Sequence, residues 1–167
     1  MFVERKSAWN RLKEAFHPTP MRDRIGTVLN SLKIQLKRLE RKSYELQERD
    51  RALYTKCIST LQGHNDSLAK VYANECAEIR KIAKITLRSQ LALEKVTIRL
   101  ETVREFGDVA YTMKPLAGLV GSVRLQLENV MPEVSQELAE VDETLNDIIM
   151  QVGEVSEEGF DLGEPSE

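Results

Sequence analysis

From Arg22 to Leu61 the apolar residues fall in a four-three rhythm. Ile25, Leu29, Leu32, Leu36, Leu39, Ser43, Leu46, Asp50, Leu53, Cys57 and Thr60 occupy its successive positions, and eight of the eleven are apolar. Steps of four and three keep side chains on one stripe of an α-helix, because a turn holds about 3.6 residues. The stretch has no proline, and its only glycine is Gly26 near the start. It predicts one helix of about 60 Å at 1.5 Å per residue. Ser43 and Asp50 interrupt the stripe, as register-setting polar residues do in a coiled-coil seam. Gln62-Gly63-His64-Asn65-Asp66 predicts a turn, since Gly63 suits a helix C-cap and Asn65 or Asp66 the next N-cap.

A second stripe follows: Leu68, Tyr72, Glu75, Ile79, Ile82, Thr86, Ser89, Leu93, Val96, Leu100 and Val103, again with eight apolar positions of eleven. Its helix is expected to reach about Thr112, roughly 70 Å at helical rise. Thr86 and Ser89 predict looser packing where they fall. Two long helices joined by a short turn pack antiparallel with their stripes facing. Off the second stripe lie Val71, Cys76, Ile85, Leu87, Leu91 and Ile98. Two helices this long cannot cover all of that surface. Ile85, Leu91 and Ile98 are therefore candidate contacts to a second copy of the chain.

Lys114-Pro115 marks a break, after which Leu116–Val130 predicts a shorter helix punctuated by Gly118 and Gly121. The GLVG string lacks the Lys-Ser/Thr pair of a phosphate loop, so a joint or close helix packing is expected there. Pro132 opens a further helix from Glu133 to about Val152. Its apolar line is Val134, Leu138, Val141, Leu145, Ile148, Ile149 and Val152, and its other side is acidic. Residues 153–167 are rich in Gly and acid and predict a mobile tail, with Phe160 and Leu162 as a small docking spot.

The first segment, Met1–Phe16, has a different character. Phe2, Trp9 and Phe16 project along one line of a helix, with Leu12 beside them, and Arg5, Lys6, Arg11 and Lys13 supply cations. Aromatic residues beside Lys and Arg suit a helix lying in a membrane interface. Arg5 projects near the apolar line and must snorkel outward. Docking on the protein's own core is the alternative. His17-Pro18-Thr19-Pro20 ends this helix, so residues 17–21 predict a hinge. The fold class is all-α: a long antiparallel helical hairpin with a short N-terminal amphipathic helix (1–16) and shorter C-terminal helices. Residues 22–130 form the hairpin core plus short helix, 131–152 an acidic regulatory helix, and 153–167 the tail.

Charge changes this picture. Residues 1–104 hold 22 of the 24 Lys and Arg against 12 acids, a balance of +10. Residues 105–167 hold only Lys114 and Arg124 against 15 acids, a balance of −13 hidden in the overall −3. A basic region is drawn to anionic surfaces, and an acidic segment on the same chain can compete for it. The acidic part is thus expected to lie over the hairpin, with salt weakening that closure by screening. Lys33, Lys37, Arg38, Arg41 and Lys42 form the candidate basic face, either a lipid- or nucleic-acid-binding stripe or simply a solvated side of the helix. The Phe-Trp face of the first segment favours a membrane, since nucleic acid needs cations but no buried aromatic line.

Composition agrees with long helices: five Pro, eight Gly, 5% aromatic and 31% charged residues. No run of 18 apolar residues exists, so no transmembrane span is expected. Charges interrupt the N-terminus where a secretory signal would be apolar, so an intracellular protein is expected. Cys57 and Cys76 match no disulfide framework or metal motif and read as ordinary buried thiols. His17 and His64 lie in breaks without ligand partners. No nucleophile elbow and no dinucleotide fingerprint occurs. Neither enzyme activity nor a metal or other cofactor is expected.

The order of parts resembles the ESCRT-III membrane-remodelling family. The strings that carry the resemblance are SAWNRLKEAF, IGTVLNSLKIQLKRLERKSYELQERD and ECAEIRKIAKITLRSQLALEKVTIRLETV. The chain looks most like an archaeal cell-division (Cdv) ESCRT-III paralogue. The resemblance implies a helical hairpin whose later helices fold back or extend. It implies polymers on anionic membrane that constrict necks in division or budding, on the inner face of the cell membrane. It also implies ESCRT-III paralogues as partners and an AAA-type ATPase as remodeller. The chain shows no Arg-containing leucine motif, no proline-rich docking motif and no winged-helix domain. Entry into a filament seeded by a paralogue is therefore expected in place of direct ATPase recruitment.

Overall fold

The computed structural model describes residues 20–107 and 112–158, with side chains to residue 153. Among the described residues four helices follow in order: α1 (Met21–Gln62), α2 (Asp66–Phe106), α3 (Met113–Leu127) and α4 (Pro132–Glu158). No strand occurs among the described residues, and the all-α hairpin is the fold. The candidate membrane helix 1–16, most of the hinge, and Phe160 and Leu162 lie outside the described residues.

The ends of the helices have local causes. Pro20 caps α1 in an extended conformation, and its carbonyl accepts from Asp23 N and Arg24 N at 2.9 and 3.2 Å. At the hairpin turn the Asn65 side chain accepts from Leu68 N at 3.2 Å, the N-cap expected from its type. The left-handed residue there is His64 (φ 58), while Gly63 stays at φ −82. α2 stops at Phe106, short of the expected Thr112. Gly107 takes φ 76, and its N–H returns to Val103 O at 2.8 Å, a glycine stop. α3 begins at Met113, before Pro115 and not after it. A proline fits the first turn of a helix because the N–H groups there have no intrahelical acceptor. Pro132 opens α4 for the same reason, and α4 runs through Gly153 to Glu158, beyond the expected end at Val152.

α1 and α2 pack along their whole length. α3 folds back on α2, and α4 lies against both α3 and α1. Among the described residues one core of 20 buried apolar residues joins the four helices. It draws on residues 25–39 of α1, 93–103 of α2, 113–127 of α3 and 134–148 of α4. Leu32, Leu39, Leu93, Leu100, Met113, Leu138 and Leu145 are fully enclosed in it. This four-helix end is the base. Beyond it, residues 44–62 and 66–84 form a two-helix arm whose buried apolar residues are Leu46, Ala69, Cys76 and Ile79.

The α1 stripe faces inward as predicted. The α2 stripe does so over the base but drifts in the arm. Ala69 and Cys76 are buried there, while the predicted Leu68 and Glu75 are exposed. Ile79 keeps its predicted inward place, but its companion position shifts by one residue, from Glu75 to Cys76 and from Leu68 to Ala69. Cys76, expected off the stripe, is therefore on it.

Candidate functional site

Among the described residues no group of three or more His, Cys, Asp or Glu could hold a metal ion, and no helix is long and apolar enough to cross a membrane. What the surface offers is unpartnered apolar residues on the hairpin and charge sorted by helix.

α2 carries the longest such line. Leu87, Leu91 and Ile98 are 51%, 61% and 57% exposed, and their spacings of four and seven put them on one face. Leu91 and Ile98 are thus where a contact with a second copy would need them. Ile85 is not: it is half-buried and packs on the shared core. It lies two positions from Leu87, which turns it to the inner side of α2. Leu87 belongs on the outward line in its place.

A second apolar surface lies at the arm tip. Tyr54, Ile58 and Leu61 of α1 are exposed, and Leu68 and Val71 of α2 are exposed near the same turn. A shallow groove of about 250 Å³ runs beside Tyr54, Ile58 and Gln62. The sequence held a signal for it, because Tyr54, Ile58 and Leu61 repeat the four-three step beside the main stripe.

The arm is pinned by polar contacts at its middle. Arg80 Nε donates to Asp50 Oδ1 at 2.9 Å, and the Arg80 guanidinium stands 5.9 Å from the Tyr54 ring centre. The hydrogen bond to Asp50, then that carboxylate's charge, pushes the Arg80 pKa up. Lys56 stands 6.0 Å from the Tyr72 ring. Burial pushes the Cys76 thiol up, and the nearby Asp50 charge adds to it. Cys57 Sγ donates to Ala69 O at 3.4 Å. Both cysteines are free thiols in the arm.

The basic face is exposed at Lys33, Lys37, Arg38 and Arg41 and half-buried at Lys42, with Ile34 among the cations. Lys33 Nζ bridges to Glu101 Oε1 across the hairpin at 2.8 Å, and Lys42 Nζ lies 3.9 Å from Glu45 Oε2. Arg38 Nη1 donates weakly to Gln35 Oε1 at 3.4 Å. The acidic α4 does not cover this face. Its buried side, Val134, Leu138, Val141, Leu145 and Ile148, lies in the shared core. Arg24 of α1 makes polar contacts with α4, at 2.7 Å from Gln151 Oε1 and 3.8 Å from Asp147 Oδ2. The packing of α4 is therefore mainly apolar, with the Arg24–Asp147 pair as its charged part. Exposed pairs are screened by salt, whereas buried leucine contacts are not.

No family model and no solved structure matches the chain. Two curated proteins of Sulfolobus acidocaldarius do. The chain is 39% identical over 137 residues to Cell division protein B1, a match covering 82% of this chain and 64% of that protein. It is 34% identical over 136 residues to Cell division protein B, covering 81% of this chain and 52% of that protein. The chain thus spans between half and two thirds of the length of these relatives. With that similarity along four-fifths of its residues and an all-α hairpin beneath it, the chain belongs to the ESCRT-III family, among the archaeal cell-division paralogues.

Proposed function

We propose that the chain is a non-enzymatic filament subunit that polymerises on anionic membrane and helps to remodel or constrict it in cell division. The observation that carries this reading is the outward line Leu87, Leu91 and Ile98 on a long hairpin. An apolar line of this kind marks an interaction surface. A repeated contact between two different faces of one chain builds an open filament unless its rotation closes a ring. The acidic α4 and the cation-rich hairpin give neighbouring copies opposite charge for such a head-to-tail contact. The names of the two relatives support the division role.

Membrane attachment is assigned to the first segment. Phe2, Trp9, Leu12 and Phe16 would enter the interface, and Arg5, Lys6, Arg11 and Lys13 would each add about 1 kcal/mol beside an anionic leaflet. The exposed cations Lys33, Lys37, Arg38 and Arg41 extend that attraction along α1. Paralogues of the same family are the proposed co-polymer, and an AAA-type ATPase acts on the assembly through them. The site of action is the inner face of the cell membrane.

Electron microscopy and co-sedimentation with anionic and neutral vesicles test the reading. The wild type is expected to form filaments on anionic vesicles and to lose vesicle binding on deletion of residues 1–16. Leu91→Glu with Ile98→Glu is expected to keep helicity and vesicle binding but to abolish filaments. A wild type that stays monomeric on anionic vesicles at every concentration would replace this reading with that of a helical adaptor for protein partners.

A further inference from the structure

Midway along the hairpin the two stripes bring polar side chains to the same level. The cross-hairpin contacts Lys33–Glu101, Asp50–Arg80 and Cys57–Ala69 fix the register. That register sets Ser43 of α1 level with Thr86 and Ser89 of α2. Thr86 and Ser89 are both 0% exposed, and the Ser43 hydroxyl is shielded from solvent. Thr86 Oγ1 donates within its own helix, to Ile82 O at 3.0 Å. Ser43 Oγ and Ser89 Oγ have no hydrogen-bond partner. A buried hydroxyl that gives up water without gaining a partner opposes the contact that buries it. This layer therefore holds α1 to α2 less well than any leucine layer below it.

The layer also lies where the support changes. Below it, Leu39 and Leu93 are fully enclosed and belong to the shared core. Ile85 is the residue of α2 nearest the arm that packs on that core. Above it no residue of 44–62 or 66–84 belongs to the shared core, and the arm is held by Leu46, Ala69, Cys76 and Ile79 with the Asp50–Arg80 pair. Segments with few buried apolar contacts open locally, in cooperative units, below the free energy of global unfolding.

We propose that the Ser43–Thr86–Ser89 layer is a joint, beyond which the two-helix arm opens and recloses as one unit while the four-helix base stays folded. The hairpin then has a rigid end, gripped by α3 and α4, and a compliant end that carries the exposed Tyr54, Ile58 and Leu61. The joint is a property of a single chain and stands whether or not the chain polymerises.

Hydrogen exchange by mass spectrometry on the full chain, at concentrations where it is a single subunit, tests this. Segments 44–62 and 66–84 are expected to share one opening reaction and to exchange at least about tenfold faster than segments 25–39 and 93–103. Ser89→Ala removes one orphaned hydroxyl and is expected to slow arm exchange about tenfold while leaving the base unchanged. Ser59→Ala, at an exposed arm position, gains the same helix propensity without relieving an orphan, and its effect is expected to be much smaller. In a Cys57→Ser background, thiol labelling of Cys76 is expected to follow the arm amides. Equal protection of arm and base would overturn the proposal. So would equal slowing of both by Ser89→Ala, no slowing at all, or a Ser59→Ala effect matching that of Ser89→Ala.

Discussion

The base and the arm are built from the same two helices and the same four-three pattern, yet they are stabilised differently. In the base the stripe residues pack into one core shared with α3 and α4. In the arm the buried apolar residues are Leu46, Ala69, Cys76 and Ile79, and none of them belongs to that core. Leu53 and Cys57 of the arm are only half-buried, although they sit on the same line as the enclosed Leu32 and Leu39. A stripe is an instruction about direction, and the number of neighbours decides how much burial follows from it. The arm compensates with polar pins such as Asp50–Arg80, which add direction and little stability because they lie near water.

The largest test of this contrast is Leu100→Ala. Leu100 is fully enclosed where α1, α2 and the α3–α4 pair meet, and truncating it should cost about 3 kcal/mol, within the range for enclosed leucines. Urea unfolding followed by far-UV circular dichroism should show the whole transition moved to lower denaturant. A loss confined to one part of the spectrum would mean that the base is not the unit holding the fold together.

Ile79→Ala is the matching change in the arm. Ile79 is 6% exposed, but with two helices that can settle together the cost should lie near 2 kcal/mol, at the low end of the same range. Exchange should quicken in 44–62 and 66–84 and stay unchanged in the base. The Cys76 thiol gives the pH arm of this test. Burial holds its pKa above the ordinary cysteine value, so the folded arm favours the protonated thiol. That stability is present below the ordinary thiol pKa and is lost as pH rises through the raised one. Alkaline solution should therefore loosen the arm, and Cys76→Ala should remove that dependence.

Asp50→Asn should have the smallest effect. The pair it weakens is exposed on the Arg80 side, so arm exchange should rise by at most about fivefold, and less in high salt. A larger rise, or one insensitive to salt, would show that the pin carries more of the arm than its burial suggests.

Much of this molecule was legible in its residues. The stripes gave both long helices to within a residue or two at their outer start and shared turn. Asn65-Asp66 gave the cap to within a residue, Pro132 gave the start of α4, and the heptad-like strings gave the family. Gly107 was the missed stop. It ends α2 by adopting φ 76, a choice that a glycine permits and does not announce. The first segment's Phe2, Trp9 and Phe16 remain a reading of the sequence alone.

Periodicity by itself determined that helices form and which side of each is apolar, because side-chain direction follows from the residues per turn. It could not determine which length of a stripe would be shared by four helices and which by two. That depended on where α3 and α4 land, and they land where Val120, Leu138 and Leu145 meet Leu32 and Leu100 within one core. The same landing turned Ile85 inward, left Leu91 and Ile98 outside, and made the packing of an acidic helix on a basic hairpin mainly an apolar contact. Charge is read from the sequence at once, but the short range of packing means that only the assembled core decides which residues exclude water together.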